Sequence, residues 1–275
     1  MYEAYWKLTD NPFASRAAGE PFFPSETHQA ALLKIRYVIE HRKGTAAVIG
    51  ARGVGKTFLA RTLSTQLAAT GPFVHITYPQ MTPHELLAYL GRQWGLESLH
   101  TTEPLSTDRL IAELQQAFAQ HEKAGKHPVI LVDDAHLIED PQVLQCLRQL
   151  VHLRGRGEAD CSVVLLGHGD LLPRIRRIAD LDDRIAVKCL IRPLTAAETQ
   201  GYIESRLATA GRSDEQPIFS GEALGLIHER SAGLPRRINR ICDLALLVGY
   251  ADDLTHLDAA HIDAVAEELD AVIAD

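Results

Sequence analysis

The segment TAAVIGARGVGKTFLARTLSTQLAATG, residues 45–71, constrains the fold more than any other part of the chain. It runs from a short apolar stretch through a glycine-rich turn into a helical pattern. The turn, GARGVGKT from Gly50 to Thr57, matches G-x-x-x-x-G-K-[ST] between a strand and a helix, the setting that motif requires. Glycine at positions 50, 53 and 55 opens backbone conformations closed to other residues, so successive N–H groups can turn toward phosphate oxygens. The helix that follows adds its positive N-terminal end. Lys56 then supplies a point charge to β- and γ-phosphates, and the Thr57 hydroxyl a ligand for Mg²⁺. The pattern predicts an ATP and Mg²⁺ site on Gly50, Ala51, Arg52, Gly53, Val54, Gly55, Lys56, Thr57 and Phe58.

A second stretch supplies the other half of such a site. PVILVDDAH, residues 128–136, is an apolar run that stops on two adjacent carboxylates, Asp133 and Asp134. Runs of this kind fit a buried strand of a parallel sheet, whose ligands gather at the carboxyl ends of the strands. Asp133 is expected in the Mg²⁺ shell, through water because that ion dehydrates reluctantly. Asp134 is placed to orient and polarise an attacking water. One strand, FVHITY, lies between the two motifs in sequence, so the loop strand and the acid strand are expected to be neighbours in space only after a strand insertion elsewhere.

Elsewhere the chain alternates strands with helices up to about Pro193: strands at TAAVIG, FVHITY, VILV, SVVLLG and RIAVKCLI. That alternation predicts βαβ units and a five-stranded parallel sheet. Thr27 is expected to cap the first helix and Gly44 to end it, while Pro173 is expected to break a short helix in DLLPRIRRIADL. Beyond Pro193 only helical patterns follow, beginning at a capping box of Thr195 and Glu198. The division expected is 1–192 for an N-terminal segment with the α/β domain, and 193–275 for a small all-helical lid, with 211–217 a loop inside it.

Composition narrows the partners. A net charge of −8 gives no global positive field to draw nucleic acid or anionic lipid. The longest apolar runs fall far short of the ~18 residues of a membrane span. MYEAYWKLTDNPF has neither a basic nor an apolar leader region. Four scattered cysteines without C-x-x-C read as reduced, buried thiols, and a cytoplasmic location is expected. Thirteen histidines include no H-E-x-x-H spacing, so no zinc-type site is expected.

With these motifs in hand, the chain resembles the AAA+ ATPase domain of the ExeA-type general secretion pathway A proteins. More distantly it is similar to the TniB/TnsC/MuB transposition ATPases and the Orc/Cdc6 initiators. The resemblance runs from NPFASRAAGEPFFPSETHQAAL, through GHGDL and DDRIAV, to SAGLPRRINRICDLALL. It implies a P-loop AAA+ fold and makes Pro12 and Phe13 adenine contacts, with core packing the other reading of Phe13. His168 falls at the sensor-1 position. Arg184 falls where a trans-acting finger reaches a neighbour's nucleotide, with pairing to Asp182 or Asp183 the alternative; Arg174, Arg176 and Arg177 are other finger candidates. Arg236, after Pro235, falls at sensor 2, where its fork would bridge phosphate oxygens. Homo-oligomerisation on ATP binding and an unidentified protein partner are implied. In that family a membrane helix and a peptidoglycan-binding region often follow, in assembly of a secretion channel; neither is among these 275 residues.

Two departures bear on mechanism. DDAH stands where that family usually has DEAH or DEAQ, and His168 where Gln is usual. An Asp carboxylate falls about 1.5 Å short of a Glu carboxylate, and a displacement on the order of 1 Å can cost ~10²-fold in rate. The function expected is an ATP-driven switch or remodelling factor with slow or partner-stimulated hydrolysis. The alternative is an ATP-gated DNA-binding protein, contacting DNA through loop 152–158 and the RIRR helix.

Overall fold

The computed structural model describes residues 1–14, 23, 25–68, 71–96, 105–155, 157–178, 180–212 and 216–274. The chain divides into two compact units, 26–52 with 56–191, and 1–25 with 53–55 and 192–275.

The first unit is built on a parallel sheet. Its strands are β1 (Thr45–Gly50), β2 (Phe73–Ile76), β3 (Val129–Val132), β4 (Ser162–Gly167) and β5 (Ile185–Ile191), in the order β2-β3-β4-β1-β5. Every residue of β1, β3 and β4 is buried, which explains why those strands read as unbroken apolar runs. β5, at one edge, alternates instead, with Ala186, Lys188 and Leu190 exposed. The two motif strands are not the neighbours they were expected to be; the inserted strand stands between them. β4 lies between β1 and β3, with Val132 opposite Leu165 and Ile49 opposite Gly167. The carboxyl ends of three consecutive strands therefore stand side by side.

Helices α1 (Glu26–Glu40), α2 (Lys56–Ala68), α3 (Pro83–Gln93), α4 (Thr107–Lys123), α5 (Pro141–Val151) and α6 (Leu171–Arg176) connect or flank the strands. Leu86 and Leu90 of α3, with Leu110, Leu114 and Phe118 of α4, close one core against Ile130, Val132 and Val163. Local chemistry sets the helix ends. Thr82 and Glu85 form a capping box on α3, and Asp140 accepts from the Gln142 N–H at the start of α5.

Three local expectations are corrected. Thr27 lies inside the first turn of α1 and does not precede it. That helix ends at Glu40, where Arg42 takes the left-handed conformation and the Lys43 N–H closes back onto Val38 O at 2.8 Å, before the φ of +87° at Gly44. Pro173 does not break α6, because it occupies the first turn, where a backbone N–H needs no intrahelical acceptor.

The second unit packs α7 (Ala196–Thr209), α8 (Gly221–Ser231), α9 (Pro235–Ala251) and α10 (Ala259–Ala274) around Ile203, Ile227, Ile238, Cys242 and Leu246. Thr195 and Glu198 form the expected capping box at α7. The N-terminal segment, expected with the α/β domain, belongs here. Tyr2, Trp6, Leu8 and Phe13 are buried in this helical core. The Trp6 indole donates to Leu246 O at 2.9 Å, and Thr9 N donates to Ala210 O at 2.8 Å. A Cβ on Gly249 would stand 2.8 Å from the Trp6 ring, so α9 keeps a glycine where the indole lies against it. The aromatic spacing in residues 1–13 has neither helical nor strand period, so its partner could not be read locally. The middle of loop 211–217 lies outside the described residues.

Burial, reinforced by the nearby Arg42 cation, pushes the His127 imidazole down to about 4. Its Nε2 lies 2.9 Å from Ser162 Oγ, where β3 and β4 begin. Below the ordinary value of 6.5 the unfolded chain takes up a proton that the native state refuses. This contribution is therefore complete above pH 6.5 and lost as pH falls toward 4. Wild type is expected to lose about 1–2 kcal/mol more stability than His127→Gln across that window, allowing for partial exposure. Urea denaturation at a series of pH values measures the difference.

Candidate functional site

The expected phosphate-binding turn leaves the buried end of β1 and enters α2 directly at Lys56. Gly53 and Gly55 adopt φ of +84° and +105°, the region that favours glycine. Gly50 does not. It closes β1 opposite Ile191, and its carbonyl accepts from the Lys56 ammonium at 3.0 Å. Lys56 is only 6% exposed and also donates to Ala51 O at 2.9 Å, so the cation is held by the turn's own carbonyls. Val54 is buried and Thr57 exposed at the helix start; Ala51 and Arg52 are exposed, and Phe58 is partly buried.

The tip of the turn, 53–55, belongs to the helical unit. Within that unit the Arg236 N–H donates to Gly53 O at 3.4 Å, and a Cβ at Gly53 would stand 3.1 Å from the Arg236 Cβ. Pro235 occupies the first turn of α9, a position that spares its missing N–H, and the Arg236 side chain is exposed.

At the end of β3, Asp133 is buried and its N–H donates to Ile76 O, while its Oδ1 accepts from the Asp134 N–H at 2.9 Å. Asp134 has φ +47° and ψ +38°, a left-handed conformation, and leads into a 3₁₀ turn, Ala135–Leu137. This supplies a backbone reason for the short acid. Asp visits that region more readily than Glu, because its side chain bonds locally. His168 follows β4 directly. Its Nδ1 lies 3.5 Å from the Lys56 ammonium, and its ring meets that of His136 edge-on at 4.2 Å between centroids. His136 Nδ1 lies 3.8 Å from Asp134 Oδ1 and is buried without a hydrogen-bond partner. Burial, with His168 and Lys56 nearby, holds the His136 imidazole below its ordinary range against the opposing pull of Asp134.

The structure thus brings Lys56, Asp134 and His168 together and adds His136, which the sequence did not single out. A signal existed, a polar residue two places past the paired acids. Its meaning depends on His168, 32 positions away, which only the sheet order makes a neighbour. One ring nitrogen of each histidine and an Asp134 oxygen lie within 4.8 Å of one another, a grouping that no local spacing predicts.

Other expected residues fall elsewhere. Phe13 is 4% exposed in the helical core, so packing is the reading its surroundings support. Asn11 Oδ1 accepts from the Phe13 and Ala14 N–H groups at 2.8 Å, and Pro12 O accepts from Arg206 Nε. Arg184 is exposed, and Asp182 pairs with Lys188 at 2.7 Å. Arg174 donates to Ile138 O, while Arg176 and Arg177 are exposed. In loop 152–158, Arg154 is held by Glu122 at 2.7 Å and by buried Asp160 at 2.6 Å; Arg156 lies outside the described residues. The cysteines are free thiols, three buried and Cys146 partly so.

Comparison with known proteins bears on the family and the fold. Residues 39–175 match the family described as AAA domain. Over 259 residues, 91% of the chain, it is 33% identical to general secretion pathway protein A of Aeromonas hydrophila, and it spans 45% of that relative's length. The chain belongs to the AAA+ ATPases. Among solved structures, the Aeropyrum pernix ORC2 protein in ADPNP and ADP complexes shares the fold with a TM-score of 0.67 at 16% identity, over 94% of this chain and 71% of that one. The Aeropyrum pernix ORC1 protein in complex with DNA does so with a TM-score of 0.60 at 16% identity, over 88% and 65%. The AAA+ region here combines a five-stranded parallel sheet with a helical C-terminal region.

Gly167 shows how tightly the end of β4 is set. A Cβ there would stand 2.8 Å from Leu171 Cδ2 and 3.3 Å from the His136 backbone nitrogen. Gly167→Ala is expected to cost about 1–3 kcal/mol through overpacking, seen as a lower urea midpoint with an unchanged slope.

Proposed function

We propose that this AAA+ domain binds Mg·ATP on the turn 50–57 and hydrolyses it, acting as an ATP-driven switch or assembly and remodelling factor. The observation that carries this reading is the meeting of Lys56, Asp134 and His168 at the carboxyl ends of adjacent parallel strands. The side chains suit the group they would receive. The Lys56 ammonium can exchange its two carbonyl acceptors for phosphate oxygens, and Thr57 and Asp133 are the oxygen donors a hard dication prefers. When bound, Mg²⁺ neutralises charge on the phosphates.

The chain's own groups then take distinct parts. Asp134 orients the attacking water and accepts its proton. His168 donates a hydrogen bond to the γ-phosphate or to that water. Arg236 forks across phosphate oxygens, and Arg184 reaches the nucleotide of a neighbouring copy, which couples ATP binding to homo-oligomerisation. The short Asp134 side chain makes hydrolysis slow unless a protein partner tightens the site. An ATP-gated DNA-binding role loses support at loop 152–158, where Arg154 is already committed to two carboxylates.

Lys56→Ala is expected to weaken binding of a fluorescent ATP analogue by at least about tenfold, the loss of a charge-assisted phosphate contact. Asp134→Asn keeps the left-handed backbone, so it is expected to bind ATP normally and to lose about 10²-fold in single-turnover hydrolysis. Asp134→Glu is expected to hydrolyse faster than wild type; a slower rate removes the short-acid explanation of slow turnover.

A further inference from the structure

We infer that Asp134, His136 and His168 form a binding site for a borderline transition-metal dication such as Zn²⁺, and that its occupancy withdraws Asp134 from hydrolysis. The metal site rests on geometry alone; the inhibition rests on the ATPase reading above.

Tetrahedral Zn²⁺ takes nitrogen and carboxylate ligands at about 2.0–2.2 Å, which sets ligand atoms roughly 3.3–3.5 Å apart. One ring nitrogen of each histidine and one oxygen of Asp134 already lie within 4.8 Å of one another, and the His136 Nδ1 to Asp134 Oδ1 distance is 3.8 Å. Closing onto an ion therefore requires side-chain movement on the order of 1 Å. The two histidine rings are held edge-on, and His168 is carried by the end of a fully buried strand. His136 Nδ1 is a second, independent pointer. It is shielded from water and has no hydrogen-bond partner, an arrangement that costs free energy unless a ligand is bound there.

The donor set also separates this ion from Mg²⁺. Two imidazoles and one carboxylate suit Zn²⁺, Co²⁺ or Ni²⁺, whereas Mg²⁺ takes oxygen ligands in octahedral array. Three protein ligands leave a position open for water. The Lys56 ammonium, 3.5 Å from His168 Nδ1, opposes the incoming cation. Removing the ammonium should therefore favour the metal while it disfavours ATP.

The test is a titration of the nucleotide-free full chain with Zn²⁺ alone, against a chromophoric chelator, with Co²⁺ absorption reporting coordination. Expected are one tight equivalent per chain, a tetrahedral Co²⁺ spectrum, and a loss of about tenfold or more in affinity in His136→Ala, His136→Gln and Asp134→Asn. Lys56→Ala is expected to bind Zn²⁺ at least as tightly as wild type. Circular dichroism establishes that each variant is folded. The site is overturned if wild type takes up no stoichiometric metal, or if both His136 variants bind as wild type does. In a separate arm Zn²⁺ is added to Mg·ATP turnover, and inhibition of wild type but not of His136→Gln is expected. Stoichiometric Zn²⁺ binding without any ATPase activity would sink the hydrolysis reading and leave the site standing. Normal ATPase activity without Zn²⁺ binding would do the reverse.

Discussion

Everything at the candidate site depends on the placement of β4 between β1 and β3. Parallel pairing on both sides carries Leu165 opposite Val132 and Gly167 opposite Ile49, so the carboxyl ends of the three strands lie close together, β3 ending slightly before β4. Because βαβ connections place every carboxyl end on the same side, groups from distant parts of the chain arrive together without any local contact to guide them. Lys56 comes from the helix after β1, Asp133 and Asp134 follow β3, and His168 follows β4. All three strands are completely buried, so the groups at their ends stand on closely packed backbone.

Electrostatics at this edge is finely balanced. A buried ammonium is costly unless it is hydrogen-bonded, and Lys56 finds its acceptors in the carbonyls of Gly50 and Ala51. That satisfies the cation before any phosphate arrives, so nucleotide binding becomes an exchange of partners and avoids rescuing an unpaired charge. The two imidazoles beside it lie edge to face, and Asp134 Oδ1 stands 3.8 Å from His136 Nδ1. A site of this composition can receive polyanionic phosphate on one flank and a nitrogen-seeking metal on the other.

Much of this was legible in the chain itself. GARGVGKT and VILVDDAH announce their structures because each combines a backbone requirement with a buried apolar run, and both sit where expected. The capping boxes are equally local and equally readable. The N-terminal segment was not. Tyr2, Trp6 and Phe13 bury themselves in the helical unit by shape and by single bonds, such as the indole to Leu246 O, and neither leaves a periodic trace. His136 was overlooked for a related reason, since its chemistry comes from a partner 32 residues away.

The choice of Asp over Glu at position 134 shows where the boundary lies. From sequence the difference is one methylene and a shortfall in reach. In the structure the residue has a left-handed backbone at the turn after β3, where Asp is tolerated better than Glu. The sequence alone determined the strand–turn–helix units, the positive φ of Gly53 and Gly55 though not the ordinary backbone of Gly50, and the identity of the charged groups, because each follows from interactions within a few residues. Only the tertiary structure decided strand order, the place of the N-terminal aromatics and the meeting of Asp134, His136 and His168. Those rest on non-local burial and pairing, whose free energy no short stretch of the chain contains.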